Sequence, residues 1–144
     1  MTSIPVRPPL PHLLLVVVLA GGAALSYVAW LGWDRRYDLD PVTGTSSGPY
    51  EAWQVVGCVV TLAALAVLAG LLGRPGLAVG VIPVVVTSLW SRDAAVRDDS
   101  GLWVVGAVLL ACGLLTGVAA VASLADGVRR RRAGGTGRRG SARP

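Results

Sequence analysis

The stretch Leu102-Trp-Val-Val-Gly-Ala-Val-Leu-Leu-Ala-Cys-Gly-Leu-Leu-Thr-Gly-Val-Ala-Ala-Val-Ala-Ser-Leu124 contains 23 consecutive residues without a charged side chain. An α-helix rises about 1.5 Å per residue, so about 20 apolar residues cross the hydrocarbon core of a bilayer. Asp126 and the arginine series Arg129–Arg132 follow closely. The sequence therefore predicts a transmembrane helix over residues 102–125 that ends at a strongly basic segment.

Three other apolar runs precede this one, over residues 13–33, 52–72 and 77–91. The first run continues past Gly22-Ala-Ala24, a sequence that would suit cleavage of a secretory signal, and its length favours an uncleaved signal anchor. The third run is short and contains Pro83, which leaves a re-entrant segment as an alternative. A full crossing kinked at the proline keeps the charge pattern coherent, and we expect that arrangement.

The composition fits a membrane protein of one small domain. Of its 144 residues 53% are hydrophobic, and the mean hydropathy is +0.64, well beyond the usage of soluble globular proteins. The predicted fold class is an all-α membrane protein, an antiparallel bundle of four transmembrane helices. The connecting segments are a leader at 1–12, a loop at 34–51, a turn at 73–76, a loop at 92–101 and an Arg-rich tail at 126–144, predicted to be disordered.

All five tryptophans lie where an apolar run meets a polar connector, and all five fall at the same end of the predicted bundle. Tryptophan prefers the headgroup level of a bilayer, because its ring is apolar while its indole N–H needs a polar partner. We therefore interpret them as membrane-interface anchors. They are Trp30, Trp33, Trp53, Trp90 and Trp103.

The charges indicate which end faces the cytoplasm. The chain has 13 arginines and no lysine, and seven of the arginines follow residue 128. With four crossings, nine arginines lie on the side of both termini and four on the other side, which carries seven of the eight acidic residues. Basic residues near the ends of spans mark the cytoplasmic side. Both termini are thus predicted to be cytoplasmic.

Catalytic and ion-coupling groups are missing from the predicted spans. None contains Asp, Glu, Lys or Arg, and the single histidine, His12, precedes the first run. Ionisable residues inside a membrane are the usual mark of a proton relay or an ion path, and nucleophilic or zinc chemistry needs converging ligands and bases. We therefore expect neither an enzyme nor a proton-coupled transporter, with no cofactor and no metal.

Small residues in the fourth run favour a close helix contact. Gly113 and Gly117 have the four-residue spacing that lets helix backbones approach, and Gly106 lies one heptad earlier. Cys58 and Cys112 both fall inside apolar runs, and we interpret them as small buried apolar side chains.

The basic tail is interpreted as a topology anchor. Arg129, Arg130, Arg131 and Arg132 would face the lipid headgroups, where each basic residue gains about 1 kcal/mol from anionic lipid. The expected partners are thus the bilayer and its anionic lipids, together with a membrane-protein partner or a second copy of the chain. Nucleic acid is not expected, because the tail has no aromatic residue for base stacking.

One stretch carries a family resemblance: Tyr37-Asp-Leu-Asp-Pro-Val-Thr-Gly-Thr-Ser-Ser-Gly-Pro-Tyr-Glu-Ala-Trp-Gln-Val-Val-Gly57. Together with the four runs and the arginine-only tail, it resembles small uncharacterised integral membrane proteins of GC-rich actinobacteria. The resemblance implies a plasma-membrane location and carries no known activity. We expect a structural or accessory, partner-binding membrane component, with a passive channel or small transporter subunit as the alternative.

The predicted orientation can be tested with single cysteines placed at Thr45 and Gly135, in a background that lacks Cys58 and Cys112. An impermeant thiol reagent should label the Thr45→Cys variant on intact cells, because that residue lies in the outer loop. The Gly135→Cys variant should react only after the membrane is opened. Reversed labelling would contradict the orientation.

Overall fold

Four long helices form most of the computed structural model, which describes residues 10–32, 38–39, 46–47, 51–98 and 100–137. The elements are α1 (Leu10–Leu31), β1 (Asp38–Leu39), β2 (Ser46–Ser47), α2 (Ala52–Leu71), α3 (Pro75–Ala95) and α4 (Trp103–Gly137). Between α1 and α2, strands β1 and β2 pair in antiparallel fashion, with Asp38 opposite Ser47 and Leu39 opposite Ser46.

The four helices pack as a bundle in which consecutive helices run antiparallel. Helices α2 and α3 each contact all three other helices, whereas α1 and α4 do not touch within the described residues. Each helix is long and apolar enough to cross a membrane. The all-α prediction of four packed, membrane-length helices is therefore confirmed.

The connection between α2 and α3 shows why the sequence turns sharply there. Gly73 has a φ of +72°, in the left-handed region that glycine enters without strain. Its N–H bonds to the carbonyl of Gly70, and the N–H of Arg74 bonds to the carbonyl of Ala69, each at 2.9 Å. This is the Schellman arrangement that closes a helix end. Pro75 then starts α3, at the first helical position, where its missing N–H is not needed.

The buried core consists mainly of small and aliphatic side chains along the inner faces of the helices. Among the described glycines, the closest approach is at Gly70 of α2, where a Cβ would lie 2.3 Å from the carbonyl oxygen of Ala122 in α4. Only glycine allows this approach. Buried apolar residues of the core include Leu15, Leu19, Ala23, Leu62, Ala66, Ala69, Ala78, Ile82, Val86, Val118 and Ala122.

The third helix is longer than its apolar run. α3 spans 21 residues, Pro75–Ala95, instead of the predicted short span over 77–91, and this corresponds to about 31 Å at 1.5 Å per residue. Arg92 and Asp93 end the apolar run without ending the helix, because Asp93 forms a hydrogen bond with Tyr27 of α1. Pro83 is buried and does not interrupt the helix. Because the helix continues through it, α3 has the length of a full crossing rather than of a re-entrant segment.

The fourth helix continues into the predicted tail. The expectation of disorder from residue 126 onward is wrong for residues 126–137, which are the C-terminal part of α4. Asp126 accepts hydrogen bonds from Arg129 and Arg130, and such pairs three and four residues apart stabilise a helix. Residues 138–144 lie outside the described residues, as do the leader up to residue 9 and most of the first loop.

Both cysteines were expected to be buried, and one of them is exposed. Cys58 is buried and accepts a 3.6 Å hydrogen bond from the Ser26 hydroxyl, whereas Cys112 is exposed on α4. Both are free thiols. The interpretation as a buried side chain is therefore wrong for Cys112, because no other helix of the described residues covers the surface of α4 that carries it.

The close contact at Gly70 predicts a position-specific loss of stability. Gly70→Ala would force its methyl group against the backbone of Ala122, and overpacking of this kind costs about 1–3 kcal/mol. The midpoint of thermal unfolding in mild detergent should fall. The matched control is Gly80→Ala on α3, where a Cβ meets no atom within 4 Å. Equal stability of the two variants would contradict the packing described here.

Candidate functional site: the aromatic end of the bundle

Aromatic and acidic side chains gather where α1 and α3 end and where α2 and α4 begin. We call this the aromatic end. Among the predicted interface anchors, Trp33 lies outside the described residues, as do Tyr37 and Tyr50. The described aromatic residues at this end are Tyr27, Trp30, Trp53, Trp90 and Trp103.

Trp30 joins α1 to α2. Its indole N–H donates to the Thr61 hydroxyl at 3.1 Å, and that hydroxyl donates to the carbonyl of Gly57 at 2.8 Å. The indole ring covers Gly57 so closely that a Cβ there would lie 2.6 Å from it. Trp30 also meets Trp53 edge to face, with ring centroids 6.1 Å apart. The polar group of Trp30 is thus satisfied inside the bundle, while Trp53 is 51% exposed.

Tyr27 joins α1 to α3. Only 3% of its surface is exposed, and its hydroxyl donates to the Asp93 carboxylate at 2.9 Å. Arg97, one turn further along the chain, places a guanidinium nitrogen 3.9 Å from the same carboxylate oxygen. A buried phenol and a carboxylate are therefore paired with each other, and this link fixes the relative depth of the two helices.

Polar side chains fix the start of α2. Glu51 and Gln54 form a capping box, in which the backbone N–H of Glu51 donates to the Gln54 side chain at 2.7 Å. The indole N–H of Trp53 donates to the Glu51 carboxylate. Gln54 is fully buried, and this burial was not predicted from the sequence. The three-residue spacing of Glu51 and Gln54 before an apolar run is the signal that could have revealed it.

Asp98 caps the start of α4. Its carboxylate accepts hydrogen bonds from the hydroxyl and the backbone N–H of Ser100 and from the backbone N–H of Trp103, the latter two at 2.8 and 2.6 Å. These bonds favour the charged form, and the Ser100 hydroxyl has the largest effect, so the pKa of Asp98 lies below its ordinary value. Behind this cap, the Trp90 ring packs on Gly106, where a Cβ would lie 2.7 Å away.

The other two glycines of the predicted helix contact are placed differently. Gly106 lies against Trp90 of α3, whereas a Cβ on Gly113 or Gly117 would meet no atom within 4 Å. Gly113 and Gly117 instead line an open apolar groove between α2 and α4. Among the described residues, the Cβ side of both glycines thus faces open space rather than another helix.

The predicted basic residues lie at the opposite end, which we call the arginine end. Arg129 and Arg130 both bond to Asp126, at 2.9 and 2.7 Å. The Arg129 guanidinium also covers Gly73 at the turn between α2 and α3. At the same end, Arg74 donates to the carbonyl of Pro11 in α1 at 3.1 Å. Arg131 and Arg132 are exposed.

The chemistry of the aromatic end is that of hydrogen-bonded helix termini. Its described carboxylates, Glu51, Asp93 and Asp98, each bond to a side chain or backbone group of the protein. No group of three or more His, Cys, Asp or Glu side chains that could hold a metal ion occurs among the described residues. The arrangement offers an aromatic surface with partly exposed indoles and paired carboxylates.

Comparisons with protein-family models, with curated proteins and with solved structures found no match to this chain. The fold and the hydropathy of its helices nevertheless define a class, that of multi-pass integral membrane proteins with four membrane-length helices. The resemblance to actinobacterial proteins is supported only at this level.

The Asp98 cap predicts a pH-dependent transition. Because the pKa of Asp98 is lower in the folded protein than the ordinary value of 3.8, its contribution to stability is full above the pKa of the unfolded chain. That contribution is lost as the pH falls through the lower pKa of the folded protein. The backbone amide signals of Ser100 and Trp103 in NMR spectra should therefore titrate with a midpoint below 3.8.

Two variants check the cause of this midpoint. Asp98→Ala should abolish the transition and speed hydrogen exchange at the Trp103 amide, since it removes both the titrating group and the hydrogen-bond acceptor. Ser100→Ala should move the midpoint upward, because it removes the hydroxyl donor. A wild-type midpoint at or above 3.8 would contradict the cap.

Proposed function

We propose that this protein is a structural or accessory component of the plasma membrane, with both termini in the cytoplasm, which acts by holding a partner rather than by catalysis or conduction. The observation that carries the proposal is the interior of the bundle. Its described core is built from apolar side chains packed against each other along the length of the helices.

The polar groups of the described interior are bonded in local pairs, most of them near the aromatic end. Ser26 bonds to Cys58, Gln54 belongs to the cap of α2, and Asp126 is paired with two arginines at the arginine end. The Thr87 hydroxyl is buried without a hydrogen-bond partner. One isolated hydroxyl does not form a relay, since ion and proton paths through membranes need successive polar or ionisable groups.

The distribution of charge supports the proposed orientation. The described arginine end carries five arginines, Arg74 and Arg129–Arg132, and one acid, Asp126, whereas the aromatic end carries two arginines, Arg92 and Arg97, and the acids Glu51, Asp93 and Asp98. Positive residues are retained on the cytoplasmic side of membranes. With the arginine end inside, the aromatic end faces outward and is the surface offered to an extracytoplasmic partner.

The surface at the aromatic end suits protein recognition. Tryptophan, tyrosine and arginine dominate the binding energy of protein interfaces, because they bury a large area while keeping a polar group for hydrogen bonding. Trp53 combines 51% exposure with a side-chain hydrogen bond to Glu51 and an edge contact with Trp30. Its ring is thus held in place while about half of its surface is exposed.

Reconstitution separates this proposal from the alternative of a passive channel or small transporter subunit. Purified full-length protein in liposomes should give ion and small-solute flux equal to that of protein-free liposomes, because the packed interior offers no polar path. A flux that requires the protein would contradict the proposal and favour the alternative.

Site-specific photo-cross-linking in cells tests the partner-binding role. A photoreactive amino acid in place of Trp53 should yield a discrete cross-linked species, because this exposed indole lies at the aromatic end. The matched control replaces Leu124, which is 72% exposed at the other end of the bundle. Discrete products at the control position alone would contradict the proposed surface.

A further inference from the structure

An open apolar groove runs along the outside of the bundle between α2 and α4. Its upper part, the one farther from the arginine end, has a volume of about 380 Å³, and Gly113 and Gly117 are among its lining residues. Its lower part has a volume of about 370 Å³ and lies between Leu71 and Val128. Val121 lines both parts, so the two adjoin along α4, and the lower part lies nearer the arginine end.

The side chains of α4 place two arginines at the foot of this groove. Val121, Leu124 and Val128 line its lower part, and Arg131 and Arg132 follow Val128 by three and four residues. That spacing puts both on the same helix face as Val128. Arg131 also lines an adjoining cleft together with Leu124 and Val128. The lower part of the groove is therefore followed along α4 by two cationic side chains.

These two arginines differ from the preceding pair. Arg129 and Arg130 are bonded to Asp126, and Arg129 lies over Gly73. Arg131 and Arg132 are exposed, and neither has an ion-pair partner among the residues that the structure describes. Their positive charge is available to an external anion.

We infer that the groove between α2 and α4 binds one anionic phospholipid, with an acyl chain along Gly117–Val128 and the headgroup phosphate between Arg131 and Arg132. This inference rests on the proposed placement of the arginine end at the cytoplasmic leaflet. The 11-residue rise from Gly117 to Val128 is about 16 Å, close to the hydrocarbon thickness of one leaflet, half of about 30 Å. Arginine suits the phosphate because its planar guanidinium binds oxyanions in a bidentate manner.

The positive charge beside the groove favours an anionic lipid, rather than a second copy of the chain, as the molecule that occupies it. α4 is the helix least covered by the rest of the described chain. Only 6% of its most apolar segment is buried, against 22–33% in the other three helices, so its surface has room for a bound molecule. Copies in one membrane share the same orientation, and packing through this face would bring their Arg129–Arg132 segments together. Like charges at an interface oppose association, whereas an anionic headgroup neutralises them.

Native mass spectrometry of the full-length protein in mild detergent tests the inference. The protein is incubated with an equimolar mixture of phosphatidylglycerol and phosphatidylcholine of identical acyl chains, and the bound lipids are counted. The wild type should retain phosphatidylglycerol preferentially. R131Q/R132Q should reduce this preference by about fivefold to thirtyfold, the range expected for one or two arginines near an anionic headgroup.

Matched variants separate the groove from general attraction to the tail. R138Q/R139Q removes the same charge from the same tail and should behave like the wild type. Gly117→Leu fills the groove and should lower retention of both lipids, whereas Gly80→Leu, at an equally open helix position, should not.

Three results would overturn the inference: equal losses in the two arginine double variants, full lipid retention by Gly117→Leu, or a wild-type dimer that Gly117→Leu converts to a monomer. The last result would assign the groove to a second copy. Failure of the proposed function is recognised separately, by protein-dependent flux or by the absence of cross-linking at Trp53, neither of which alters the lipid measurement.

Discussion

The structure depends on the requirement that backbone N–H and C=O groups within hydrocarbon hydrogen-bond inside the chain, because each unsatisfied group costs several kcal/mol there. Four membrane-length helices meet this requirement. Lipid is as apolar as the helix sides, so the helices are held together by close packing and polar pairs rather than by the hydrophobic effect. Gly70 against Ala122 and Tyr27 with Asp93 are the clearest contacts of each kind.

This division of roles explains the contrast between the two ends. The aromatic end uses its indoles and carboxylates chiefly to join helices, as Trp30 does with Thr61 and Gly57. The arginine end satisfies Asp126 internally and leaves Arg131 and Arg132 exposed. The described core between the two ends is apolar, and for this reason both proposed roles, binding to a partner and binding to lipid, are assigned to surfaces.

The sequence was sufficient to predict the number of helices, because apolar length is a one-dimensional property of the chain. It underestimated α3, since Asp93 looked like the end of a span although its bond to Tyr27 keeps it within the helix. The contact at Gly70 and the burial of Gln54 were not predicted. Which glycine lies at a helix crossing depends on the rotation and depth of both helices, and local spacing such as that of Gly113 does not determine these.

We expect all four helices to cross the bilayer around a packed interior without water, and α3 is the most demanding of them because it contains Pro83. Hydrogen–deuterium exchange of the full-length protein in lipid nanodiscs measures this directly. The backbone amides from Val79 to Leu89, other than that of Pro83, should resist exchange for hours, as do those at the centres of the other helices. Exchange of this segment within seconds would show that water reaches the middle of α3 and would contradict the account.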